Sequence, residues 1–64
     1  MKNKLKEIRE KKGLSQEQLA EISGISRTTI SDLENEKKQV TTNVTLEKLA
    51  NALGKKVTSI FFIN

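Results

Sequence analysis

The stretch QEQLAEISGISRTTISDLEN, Gln16 to Asn35, leaves this chain few folds to choose from. It holds two short amphipathic segments around a bend at Ser23-Gly24-Ile25. Ser15 with Gln18 three residues on is a capping-box pattern, in which each side chain satisfies the other residue's backbone N–H, so a helix begins at Gln16. Leu19 and Ile22 are its expected buried stripe, with the small Ala20 beside them. Gly24 follows, where a residue without a Cβ can take the left-handed conformation that reverses the chain. Ile25 is the apolar plug of the turn, and Ser26 caps a second helix whose first residue is Arg27. Ile30 and Leu33, at i and i+3, face inward. At ~100° per residue Thr28, Ser31, Asp32 and Asn35 point away from them, with Arg27 and Thr29 on the flanks.

The segments on either side read as support for this pair. Asn3 is a candidate N-cap for a first helix, with Leu5 and Ile8 on one face. Lys11 and Lys12 meet the negative end of that helix's dipole, and Gly13 ends it. Leu14 then packs inward. Residues 35–43, NEKKQVTTN, are polar and poor in helix formers, and read as a loop. Thr42 or Asn43 caps a fourth helix with Leu46, Leu49, Ala50 and Leu53 as a stripe of period 3.6, and Gly54 stops it. A short last helix opens at Thr58 or at the Lys56-Val57 step, with Val57, Ile60 and Phe61 inward. No period-2 strand pattern, internal repeat or second domain is evident. Five helices in a single domain, residues 1–64, make an all-α fold.

Size and charge narrow the partners. A chain of 64 residues buries only about 60% of the surface it exposes when unfolded. It has no cysteine to staple it, so economical helix packing or self-association must stabilise it. The absence of cysteine suits a reducing cytoplasm. No apolar run approaches the ~20 residues that span a bilayer, and MKNKLKEIREKK lacks the apolar core of a signal peptide. The chain is therefore expected to be cytoplasmic, without membrane contact. The net charge is +4, and residues 1–12 supply all of it, with six Lys/Arg against two Glu. A basic balance suits a polyanion, of which nucleic acid is the commonest, although ordinary lysine usage on a solvated surface would also give it. The outer face of the third helix is more specific. Solvated helices usually carry Lys and Glu outside, whereas short polar side chains let a helix backbone approach another surface as closely as a DNA major groove requires.

Catalysis finds little to work with. With no His, Cys, Tyr or Trp, imidazole and thiolate metal sites and Ser-His or Cys-His nucleophiles are excluded. The glycines at 13, 24 and 54 all fall at helix ends, so none builds a phosphate-cradling loop. The carboxylates do not cluster convincingly for a hard cation. No catalytic residue, metal, cofactor or small-molecule ligand is expected.

Over residues 4–61 the chain resembles the Cro/C1-type (XRE) helix-turn-helix family of phage repressors and bacterial transcription regulators. Gln16 opening the second helix, Ala20 where the helices cross, Gly24 and Ile25 in the turn, and Ile30 and Leu33 in the third helix carry the likeness. The run LEKLANALG at 46–54 and the Ile60-Phe61 ending extend it. A lone Gly between two helices is common; six such residues in register are specific. The resemblance implies a compact, lambda-repressor-like five-helix domain that binds double-stranded DNA with residues 27–34 in the major groove.

By resemblance, Arg27, Thr28 and Asp32 hold the places that contact base edges, with Ser31 nearby. Gln16, Ser26, Thr29, Asn35, Lys37 and Lys38 hold those that contact phosphates. The chemistry agrees. Arg27 could pair bidentately with guanine O6/N7, and the Thr28 methyl could meet a thymine methyl; the bland alternative for Arg27 is a phosphate clamp or an exposed cation. Helix N-terminal amides at Gln16 suit a phosphate. Asp32 could accept from cytosine N4, reject other bases or orient Arg27. The resemblance also pairs Arg9 with Glu34, each roughly 70° from its helix's apolar centre, to fix the first helix against the third; two independent surface charges are the alternative. Two departures stand out. Relatives often carry Gly at the place of Glu36, and open the fourth helix with Pro-Ser or Pro-Thr.

The apolar end, Phe61-Phe62-Ile63, either closes the core with Phe61 and frays, or buries Phe62 and Ile63 against a second copy. A homodimer is the expectation, because one short helix reads few base pairs. Palindromic half-sites would then lie about one helical turn apart, roughly 34 Å. The rival reading is a protein-interaction module on the same scaffold, such as an antitoxin or anti-repressor. No separate effector domain is expected within these 64 residues.

Overall fold

The computed structural model describes residues 2–36 and 42–62. Three of its helices begin where an N-cap side-chain oxygen takes over a backbone N–H that has no partner in the first turn. After a two-residue strand β1 (Lys2–Asn3) comes α1 (Leu5–Lys11), then α2 (Gln16–Ser23) and α3 (Arg27–Glu34). Next are α4 (Asn43–Leu53), α5 (Val57–Ile60) and a second strand, β2 (Phe61–Phe62). Ser15 and Gln18 close the capping box of α2, with Oγ accepting at 3.0 Å and Oε1 accepting at 2.8 Å. Ser26 caps α3 and Thr42 caps α4, each accepting an N–H three residues on at 3.2 Å. Gly24 ends α2 at φ 74°, its N–H on the Ala20 carbonyl at 2.9 Å. A Cβ there would meet nothing within 4 Å, so the constraint is conformational rather than steric.

One apolar cluster draws on every helix. Leu5, Leu19, Ile30, Leu33, Leu46, Leu49, Ala50, Leu53, Ile60 and Phe61 are buried, with Ile8, Leu14, Ala20, Ile25, Ala52 and Val57 packed around them. Helix α2 lies against both α3 and α4, α5 folds back on α4, and α1 meets α3. The inner side of α3, Ile30 and Leu33, is thereby sunk in the centre while its outer side stays clear.

Two expectations need correction, and one open alternative is decided in part. Ile22 does not belong to the buried stripe of α2, since it is 56% exposed while Ser23 is buried. The stripe runs Leu19–Ser23, at i and i+4, because a small residue at the bend lets α2 close on its neighbours. The Ser23 hydroxyl accepts the Ile25 N–H at 3.2 Å, so its burial leaves no polar atom stranded. Asn3 is not the N-cap of α1; Lys4 occupies that position without a side-chain bond. The Asn3 carboxamide does more from one residue further out, accepting the Leu5 N–H at 3.0 Å and donating to the Leu33 carbonyl at 2.8 Å. It ties the start of the chain to the end of α3. Of the two readings of the apolar end, fraying does not hold at Phe62: β1 and β2 pair antiparallel, Lys2 opposite Phe62 and Asn3 opposite Phe61. Lys4 N–H extends this pairing to the Ile60 carbonyl at 2.8 Å. Strands of two residues carry no periodic signature, so only the meeting of the two ends reveals them.

Glu36 has φ 58°, in the left-handed region that few residues other than glycine adopt. A residue with a Cβ holds that geometry at a conformational cost.

Candidate nucleic-acid interface

The outer side of α3 and the start of α2 border one open cleft of about 310 Å³, lined by Gln16, Arg27, Thr28, Ser31 and Asp32. Thr28 and Arg27 are exposed, and Ser31 and Asp32 are half-buried at its floor. The four residues expected to read bases therefore share one concave surface. It is lined by a guanidinium, two hydroxyls, a carboxylate and the Gln16 carboxamide. Thr29 lies on the flank, where its Oγ1 accepts from Ser26 Oγ at 2.8 Å and keeps its own hydrogen to donate. Ser26 Oγ is committed to capping α3. Asn35, just past the helix, reaches back to Ser31 Oγ at 3.4 Å.

What holds this surface at its angle is an ionic cluster beneath it. Arg9 of α1 donates to both carboxylate oxygens of Glu34, from Nε at 2.6 Å and from Nη2 at 3.0 Å, and its Nη1 donates to the Leu14 carbonyl at 2.6 Å. Gln16 Nε2 donates to the same Glu34 at 3.0 Å. The Glu34 side chain is 2% exposed, and Arg9 is also buried. A bidentate fork, with a further donor on Oε1 from Gln16, is the kind of arrangement in which a buried pair offsets its desolvation cost. Hydrogen bonding to Glu34 raises the Arg9 pKa above its ordinary value, against the opposing effect of burial, so the guanidinium stays charged. Three helices meet in this cluster, and the carboxamide of Gln16 is spent there rather than projecting freely.

Sequence reasoning overlooked Glu17. Its Oε1 accepts from Arg27 Nη1 at 3.0 Å, joining the first turn of α2 to the first residue of α3 on the exposed side. Ten residues separate them, beyond any within-helix spacing; only their places at the starts of two crossing helices could have suggested the contact. Lys37 and Lys38 lie outside the described residues, as do Ile63 and the Phe62 side chain. The lysines at 4, 6, 11 and 12 stand exposed in and beside α1, interleaved with Glu7 and Glu10. Among the described residues, no three carboxylates gather where they could hold a metal ion, and no helix is long and apolar enough to cross a membrane.

The sequence matches the helix-turn-helix family model over residues 5–60, nearly its full length. No curated protein matches it. With the capping box, the left-handed glycine turn and the cleft along α3 all inside the matched span, the chain belongs to the Cro/C1-type (XRE) helix-turn-helix family of DNA-binding transcription regulators.

Proposed function

We propose that this regulator is a repressor which occupies a palindromic operator as a homodimer and acts in the cytoplasm as a single domain. The cleft on the outer side of α3 carries the reading. Buried Ile30 and Leu33 on one side and short polar groups on the other let the helix enter a major groove without its own side chains standing in the way. Arg27 donates to guanine O6/N7, Thr28 meets a thymine methyl, and Ser31 and Asp32 complete the readout, Asp32 as an acceptor for cytosine N4. Phosphates fix the register through the α2 N-terminus at Gln16 and through Ser26, Thr29, Asn35, Lys37 and Lys38. One eight-residue helix covers few base pairs, so two copies joined near the α4–α5 connection and the Phe62-Ile63 end would read half-sites about 34 Å apart. Bound protein then blocks polymerase.

Selection from randomised duplexes at moderate salt tests this. A palindromic consensus is expected, and Arg27→Ala should relax one base position per half-site by about 1–3 kcal/mol. No preferred sequence would refute sequence-specific binding. An unchanged ranking in Arg27→Ala would refute its base-reading role, and a monomer on a single half-site would refute the dimer.

A further inference from the structure

Glu17 stands where a DNA-binding surface has least use for a carboxylate. It is the second residue of α2, beside the Gln16 that lines the cleft, and its side chain is 75% exposed. Left alone, it would repel any phosphate approaching the start of that helix. It is not left alone, because it holds Arg27 Nη1 at 3.0 Å. The contact has little structural value, since both partners are well exposed and such pairs stabilise a fold only slightly. Its effect falls instead on Arg27. That residue begins α3, at the positive end of the helix dipole, where a cation is unfavourable and a neighbouring carboxylate offsets it.

Resting on the base-reading role proposed above for Arg27, we propose that Glu17 is a positioning residue that makes Arg27 selective. The carboxylate engages one nitrogen of the guanidinium and so limits the rotamers of an otherwise loose side chain. The opposite edge, Nε and Nη2, remains a two-donor fork matched to the paired acceptors O6 and N7 of guanine. Glu17 also penalises the competing use of Arg27. If the guanidinium swings to a phosphate, the carboxylate is left uncompensated beside the DNA backbone. Glu17 thus trades general affinity for discrimination.

The test starts from the best duplex recovered from a randomised library. The base pair read by Arg27 is located as the one whose preference Arg27→Ala relaxes. Fluorescence anisotropy at fixed salt then compares the four bases at that position, and a scrambled duplex, for the full chain and for Glu17→Gln, with circular dichroism confirming the fold. Glu17→Gln is expected to bind the scrambled duplex about two- to five-fold more tightly, and to lose about two- to five-fold discrimination at that position and no other, the scale open to an exposed pair. In an Arg27→Ala background it should alter no ranking. If Glu17→Gln tightens all duplexes equally with the ranking intact, or shifts the ranking just as much without Arg27, Glu17 is not a positioning residue. If Arg27→Ala relaxes no position, the base-reading role and this inference fall together. If it relaxes one while Glu17→Gln leaves discrimination untouched, only this inference falls.

Discussion

Removing the Glu34 carboxylate should unfold this domain or come close to it. In Glu34→Ala the buried Arg9 guanidinium loses both bonds from its Nε and Nη2, and Gln16 loses its acceptor. What remains is a cation with the Leu14 carbonyl for a partner, in a site that admits almost no water. Breaking a buried pair from one side costs about 3–5 kcal/mol, most of it the penalty of the stranded charge. At roughly 0.05–0.15 kcal/mol per residue, a chain of 64 residues has a total stability of about 3–10 kcal/mol. Since 1 kcal/mol shifts the midpoint of a domain this size by about 4–8 °C, the expected fall in Tm is at least about 12 °C. Thermal and urea unfolding followed by circular dichroism measures it. The informative partner is Arg9→Met with Glu34→Leu, which removes the charges together and should recover most of the loss, with a coupling energy above about 1 kcal/mol. The pH dependence follows from the direction of the Arg9 shift. A cation whose pKa is raised by folding keeps its stabilisation at every pH below its ordinary value and loses it only above the folded one. With no histidine in the chain, Tm should stay nearly level between about pH 6 and 9. A loss below ~1 kcal/mol in Glu34→Ala, together with additive single and double variants, would show that the cluster does not hold α1 and α2 to α3.

Three further outcomes are expected. Glu36→Gly relieves about 1–2 kcal/mol of left-handed strain at φ 58°. Against that it adds about 0.4–1 kcal/mol of unfolded-state entropy, so chemical denaturation should show a gain between about zero and 1.6 kcal/mol; destabilisation would mean the backbone there is not left-handed. Ile22→Gln should leave stability within about 0.5 kcal/mol, whereas Leu19→Ala costs about 2–5 kcal/mol, and a large loss from the former would restore Ile22 to the core. Lys38→Ala should weaken binding to all duplexes alike and lower the salt slope by roughly one; a change of ranking would make Lys38 a base reader instead.

Much of this protein was legible in its residues because the decisive signals are local. Ser15 with Gln18, Ser26 and Thr42 start helices through bonds spanning three residues, and Gly24 and Gly54 end them through a conformation other residues resist. Ile30 and Leu33 orient α3 through helical periodicity alone, which is why Thr28, Ser31 and Asp32 could be assigned to its outer side. Packing details escaped the same logic. Whether α2 buries Ile22 or Ser23 depends on a rotation of a few tens of degrees, set by what α3 and α4 can accommodate. The pairing of Lys2–Asn3 with Phe61–Phe62 joins opposite ends of the chain, and a two-residue strand leaves no periodic trace.

The sequence by itself determined the helix-turn-helix stretch Gln16–Asn35, with its caps, its turn and its outer face, since each rests on interactions within a few residues. Tertiary structure alone decided how that stretch is held. Glu34 collects Arg9 and Gln16 beneath it, and Glu17 reaches Arg27 across the helix crossing. Those contacts depend on distances between side chains from different helices, and such distances exist only once the helices have packed.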